Sequence, residues 1–127
     1  MTTPLGRVRG LGSSKSGTTA YVIKQASGLA LGILTPYVIE IGIYLLGRDR
    51  PFVVSSIASF WVGPVLVGFI ILSAIHMDAG MRAIIEDYVH GHMKKLALLF
   101  LNSAFTWSVC VASVFAILLI MFESASR

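Results

Sequence analysis

Between Leu96 and Phe122 the chain carries no ionisable group except Cys110. Two more apolar stretches precede it. The first runs from about Ala20 to Leu46, where Gln25 to Ile39 is free of charge and Glu40 interrupts before Ile41 to Leu46. The second lies within a segment, Phe52 to Met77, that holds no Asp, Glu, Lys or Arg. A helix needs about 20 residues to cross the hydrocarbon core of a bilayer, and all three stretches reach that length. Lipid offers no hydrogen bonds, so the backbone must satisfy itself, which an apolar run does by becoming a helix. The sequence therefore predicts an all-α integral membrane protein with three transmembrane helices, over about residues 20–46, 59–84 and 96–122.

Composition agrees. Of the 127 residues, 56% are hydrophobic and only 13% charged, about half the charge of an ordinary soluble domain. The net charge of +4 is no argument for nucleic acid, because the basic residues flank apolar runs. Cys110 is the single cysteine, which excludes an internal disulfide and a Cys-based zinc site. Residues 1–19 are rich in Gly, Ser and Thr and carry Arg7, Arg9 and Lys15 without an acid. They lack the apolar core of a signal peptide and read as a flexible polar arm. Pro36 is expected to kink the first helix, because it removes a backbone donor. Gly47 to Pro51 reads as a compact turn. Basic residues favour the cytoplasmic side. Arg7, Arg9, Lys15, Lys24, Arg82, Lys94 and Lys95 stand against Arg48, Arg50 and Arg127. This predicts a cytoplasmic (or matrix) N-terminus and a C-terminus on the opposite side.

The chemistry concentrates in Leu72 to Lys95. His76 is the only histidine inside a span; His90 and His92 fall in the polar segment that follows. Ionisable residues at membrane depth are costly and tend to mark function. At about 100° per residue, Ser73, His76, Gly80, Ala83 and Asp87 share one helix face. Small residues beside an imidazole let a large flat group lie against the helix, and imidazole is a haem iron ligand. The same pattern also serves a histidine bonded across a close helix–helix interface. If haem is bound, its second axial ligand has to come from another chain. Asp87 lies about 16 Å along the axis from His76. Tyr88 beside it suits hydrogen bonding to a quinone carbonyl, with Asp87 relaying protons; an ordinary interfacial tyrosine at a solvated helix end is the plainer alternative. Asp78 has Arg82 four residues on as an ion-pair partner, or a partner subunit. Glu40 has the outer interface, or again a partner chain.

No phosphate loop, catalytic carboxylate pair or Cys/His metal spacing is present, so the chain alone does not read as a complete enzyme. A small oligomeric transporter or helper using Glu40 or Asp78 remains as a reading of the residues.

The segment HMDAGMRAIIEDYV, His76 to Val89, resembles the succinate dehydrogenase hydrophobic membrane anchor family. That family shows a histidine, Gly-Met at the fourth and fifth following positions and Asp-Tyr at the eleventh and twelfth, here His76, Gly80, Met81, Asp87 and Tyr88. PLGRVRGLGS, Pro4 to Ser13, looks like the same family's N-terminus. Beside the transporter reading, the family resemblance implies a haem-bearing electron-transfer anchor, or a haem-free structural anchor of succinate dehydrogenase or fumarate reductase. The resemblance implies that His76 is one axial ligand of haem b (and so binds its iron), the other coming from the large cytochrome b anchor subunit. It implies that Tyr88 hydrogen-bonds ubiquinone and that Asp87 supports that site. The flavoprotein and iron–sulfur subunits would dock on the cytoplasmic face and pass electrons from succinate to quinone. The chain would then sit in a bacterial inner membrane, or in a mitochondrial one. Two positions depart from the family pattern. Gln25, preceded by Lys24, stands where members often carry an arginine near the haem propionates, and Met77-Asp78 replaces apolar or aromatic residues.

Overall fold

The computed structural model describes residues 3–6 and 17–125. Most of the expected polar arm, with Arg7, Arg9 and Lys15, lies outside the described residues, as does Arg127. Among the described residues there is no strand. Beyond a short helical turn at residues 4–6, four helices follow one another among the described residues: α1 Gly17–Leu45, α2 Arg50–Ile57, α3 Val62–Tyr88 and α4 His92–Ala125. Three of them, α1, α3 and α4, are long and apolar enough to cross a membrane. At 1.5 Å per residue even the shortest, α3 with 27 residues, spans about 40 Å, more than the ~30 Å hydrocarbon core.

Their ends differ from what hydropathy alone predicts. Gly17 to Thr19, read as part of the arm, already belong to α1. The polar segment after the second span is mostly helical: α3 continues through Glu86, Asp87 and Tyr88, and α4 begins at His92, leaving residues 89–91 as the connection. Arg82, within the expected second span of 59–84, lies inside α3. Hydropathy ends a span where polar residues begin, whereas a helix in the headgroup region continues as long as its backbone bonds can form. The short α2 was not anticipated. Asp49 is its N-cap residue and Pro51 lies in its first turn, where a missing N–H costs nothing.

Gly47 closes α1 with φ of 73°, the left-handed conformation that ends helices and that only glycine adopts without strain. Behind it the Arg48 guanidinium lies 5.0 Å from the Phe52 ring centroid and 5.9 Å from that of Tyr44. Arg50 at the start of α2 pairs with Glu123 near the end of α4 at 3.3 Å. That pair ties the α1–α3 connection to the far end of α4, as an up–down–up arrangement requires. α1 runs unbroken through Pro36. The Thr35 hydroxyl donates to the Leu31 carbonyl at 2.6 Å, the kind of side-chain bond that eases a proline inside a membrane helix.

α3 is the central element. It packs against both α1 and α4, which scarcely meet each other. Little is enclosed: Ile41, Ala74, Ile85, Cys110, Ser27 and Thr106 are the buried side chains. Leu29 and Ile33 are each 70% exposed and Phe100 is 73% exposed. So much apolar surface is stable only against lipid or other subunits.

Candidate functional site

His76 projects from the middle of α3 toward α1. Its Nδ1 lies 3.1 Å from Ser27 Oγ, and Ser27 is only 4% exposed. The Ser27 hydroxyl has one proton, and it donates that proton to the Lys24 carbonyl at 3.1 Å. With that proton on the Lys24 carbonyl the hydroxyl accepts from His76 and the ring proton sits on Nδ1; in the other tautomer Ser27 donates to Nδ1. The first arrangement leaves Nε2 as a free lone pair, the form in which imidazole ligates a metal. The ring approaches α1 closely because residue 28 is glycine. A Cβ built there would stand 3.0 Å from His76 Cε1. Around Gly80, one turn further along α3, a Cβ would meet nothing within 4 Å, so space stays open beside the histidine on the face predicted from spacing.

The donor set suits one axial position and no more. Among the described residues no three His, Cys, Asp or Glu side chains gather as a metal site. His90 lies in the connection and His92 opens α4. An iron at His76 would have to be shared with another chain.

The quinone candidates stand apart from it. Asp87 and Tyr88 are exposed at the end of α3, Tyr88 to 77%, and neither side chain is hydrogen-bonded among the described residues. Tyr88 is about 18 Å along the axis from His76. Among the described residues no second wall stands over them.

Asp78, left between two roles by the sequence, points to α4. Its Oδ2 accepts from Arg82 at 3.2 Å, and its Oδ1 accepts from Asn102 Nδ2 at 2.8 Å and Ser103 Oγ at 2.9 Å. Arg82 also donates to Ser103 at 3.1 Å. These four residues form a polar clasp between α3 and α4. Glu40 is exposed on α1 and has no hydrogen bond or ion pair among the described residues.

Sequence reasoning missed Ser27, Gly28, Asn102 and Ser103. One signal was available: Asn102 is the only asparagine in the chain and sits inside an apolar run, where an amide needs a partner.

Comparison with known proteins agrees with this architecture. The family model of the succinate dehydrogenase/fumarate reductase transmembrane subunit matches residues 1–121. A succinate dehydrogenase hydrophobic membrane anchor subunit from Paracoccus denitrificans is 29% identical over 115 residues, covering 91% of this chain and 88% of the relative. One from Rickettsia conorii is 24% identical over 126 residues, covering 91% and 90%. No solved structure matches significantly. Since the family model spans nearly the whole length, the chain belongs to the succinate dehydrogenase/fumarate reductase transmembrane subunits and is an integral membrane anchor of that family.

Proposed function

We propose that this anchor provides one axial ligand, His76 Nε2, to a b-type haem shared with the large cytochrome b anchor subunit, and that Tyr88 and Asp87 form one wall of a ubiquinone pocket. The anchor role itself follows from family membership. The bacterial relatives point to the inner membrane. The observation that carries the haem reading is the chain of bonds from Lys24 O through Ser27 Oγ to His76 Nδ1, which orients the ring and frees Nε2. A bound haem supplies one-electron transfer between carriers.

The remaining work falls to the chain's own residues. Ser27 and Gly28 fix the plane of the imidazole. The Tyr88 hydroxyl donates to a quinone carbonyl, and the Asp87 carboxylate takes protons from interfacial water. Both are exposed in the single chain because the other wall is contributed by partners, among them the iron–sulfur subunit. The flavoprotein docks beyond it, on the side of the N-terminus and the α3–α4 connection. Lys24, Lys94 and Lys95 near that end support placing it in the cytoplasm.

The test is His76→Ala in the complex purified from its native membrane. Haem per flavin should fall by at least about tenfold, in keeping with the loss of an axial ligand. Unchanged haem with the same subunits present would leave His76 as a packing residue in a differently ligated anchor.

A further inference from the structure

At the end of the molecule that carries the α3–α4 connection, an open cleft of about 490 Å³ lies between the first turns of α1 and the last turns of α3, with Trp107 of α4 at its edge. Its volume is in the range, about 300–1,000 Å³, of pockets that hold small molecules. It adjoins the face assigned to haem and shares Ala83 with it. Ile75, Ala79, Arg82 and Glu86 line it, and by helix periodicity their direction is about 110° from that of His76, Gly80 and Asp87.

Four charged side chains reach this cleft: Lys24 from α1, and Asp78, Arg82 and Glu86 from α3. Asp78 and Arg82 neutralise each other at 3.2 Å. Lys24 and Glu86 face the cleft from opposite walls, and neither charged group has a hydrogen bond or ion pair among the described residues. Only the backbone carbonyl of Glu86 is engaged, by Lys95 Nζ at 2.8 Å. The walls beneath the charges are apolar, with Ile23, Ile75, Ala79 and Ala83 among them.

We infer that this cleft binds one phospholipid whose headgroup carries both a phosphate and a primary ammonium, as phosphatidylethanolamine does. The phosphate pairs with Lys24, the ammonium donates to the Glu86 carboxylate, and an acyl chain lies along Ile75 and Ala79. Charge-assisted bonds of this kind are the strong ones. A purely anionic lipid would satisfy Lys24 but place its charge near Glu86. A neutral ring such as a quinone would leave both charges unpaired. A headgroup with both signs satisfies the two walls together. The inference rests on the Lys24 and Glu86 side chains and not on His76, so it stands whether or not His76 binds iron.

The experiment uses the whole complex, stripped of lipid in detergent and titrated with dioleoyl phosphatidylethanolamine or dioleoyl phosphatidylglycerol. Bound lipid is counted by native mass spectrometry. The wild-type complex should hold an ethanolamine lipid at this site about tenfold more tightly than the glycerol lipid, the worth of about one charge-assisted bond. Glu86→Gln should bring that ratio close to one. Lys24→Gln should weaken both lipids. Ala79→Phe, which fills the cleft without altering charge, should exclude both. No ethanolamine lipid bound, equal binding of the two lipids by wild type, or binding indifferent to all three substitutions would overturn the inference. So would a cross-link from residue 79 showing that a partner polypeptide fills the cleft.

Discussion

Ser27 has the clearest consequence of any single residue after His76. It is buried, donates to Lys24 O and shares a hydrogen bond with His76 Nδ1, and so holds the ring in place. Outer partners of this kind typically affect metal affinity by about 10–100-fold. Ser27→Ala should therefore lower haem retention during detergent washing and shift the reduced absorption band, while Ser27→Thr keeps the hydroxyl and restores both. Identical retention and spectrum in Ser27→Ala would mean that the bond only packs α1 on α3. Tyr88 makes a separate prediction. Tyr88→Phe should slow quinone reduction by about tenfold, the worth of one good hydrogen bond to substrate, and leave succinate oxidation by an artificial dye that bypasses quinone near normal. Equal loss in both assays would assign Tyr88 to assembly. His76 was legible in the sequence because it is the one histidine inside an apolar run. Ser27 was not, because its bond joins residues 49 positions apart, and spacing along one helix carries no information about another.

Between elements, α3 and α4 meet through two contrasting polar features. Asn102 has a bonded partner in Asp78, whereas Thr106, 1% exposed, has a hydroxyl without a partner among the described residues. Removing a bonded donor leaves its partner unsatisfied and costs about 1–3 kcal/mol in general, with interhelical bonds in membranes averaging ~0.6 kcal/mol. Asn102→Leu should thus destabilise the complex by about 1 kcal/mol. Thr106→Val keeps the shape and removes a hydroxyl that bonds nothing, so it should be neutral or slightly stabilising. Thermal melting of the two variants in the same detergent distinguishes them; an equal drop in Tm would refute the contrast. The Asp78–Arg82 pair is half exposed on the Arg82 side. That pair could be read from its spacing of four residues. Its continuation onto Asn102 and Ser103 could not, because it depends on the rotation of α4 about its own axis.

The molecule as a whole is a row of three helices with α3 in the middle and apolar side chains exposed along nearly every face. Hydropathy revealed three spanning helices because burial in lipid depends on composition, but not that α3 packs between the other two. It misplaced helix ends because polar residues at the interface remain helical, and it did not reveal α2, which is too short and too mixed to carry a periodic signal. The open surface on the His76 side is what a second anchor subunit would cover. On this account the chain is half of a haem site, so the most direct test keeps the assembly whole. The complex should be purified under mild detergent from its native membrane, and a dithionite-reduced minus oxidised visible spectrum recorded alongside its subunit composition. A b-type haem signal together with succinate-oxidising flavoprotein and iron–sulfur subunits is the predicted result. The same subunits in an intact sample with no haem signal would contradict it, and would make the Ser27–His76 bond a clasp between two helices.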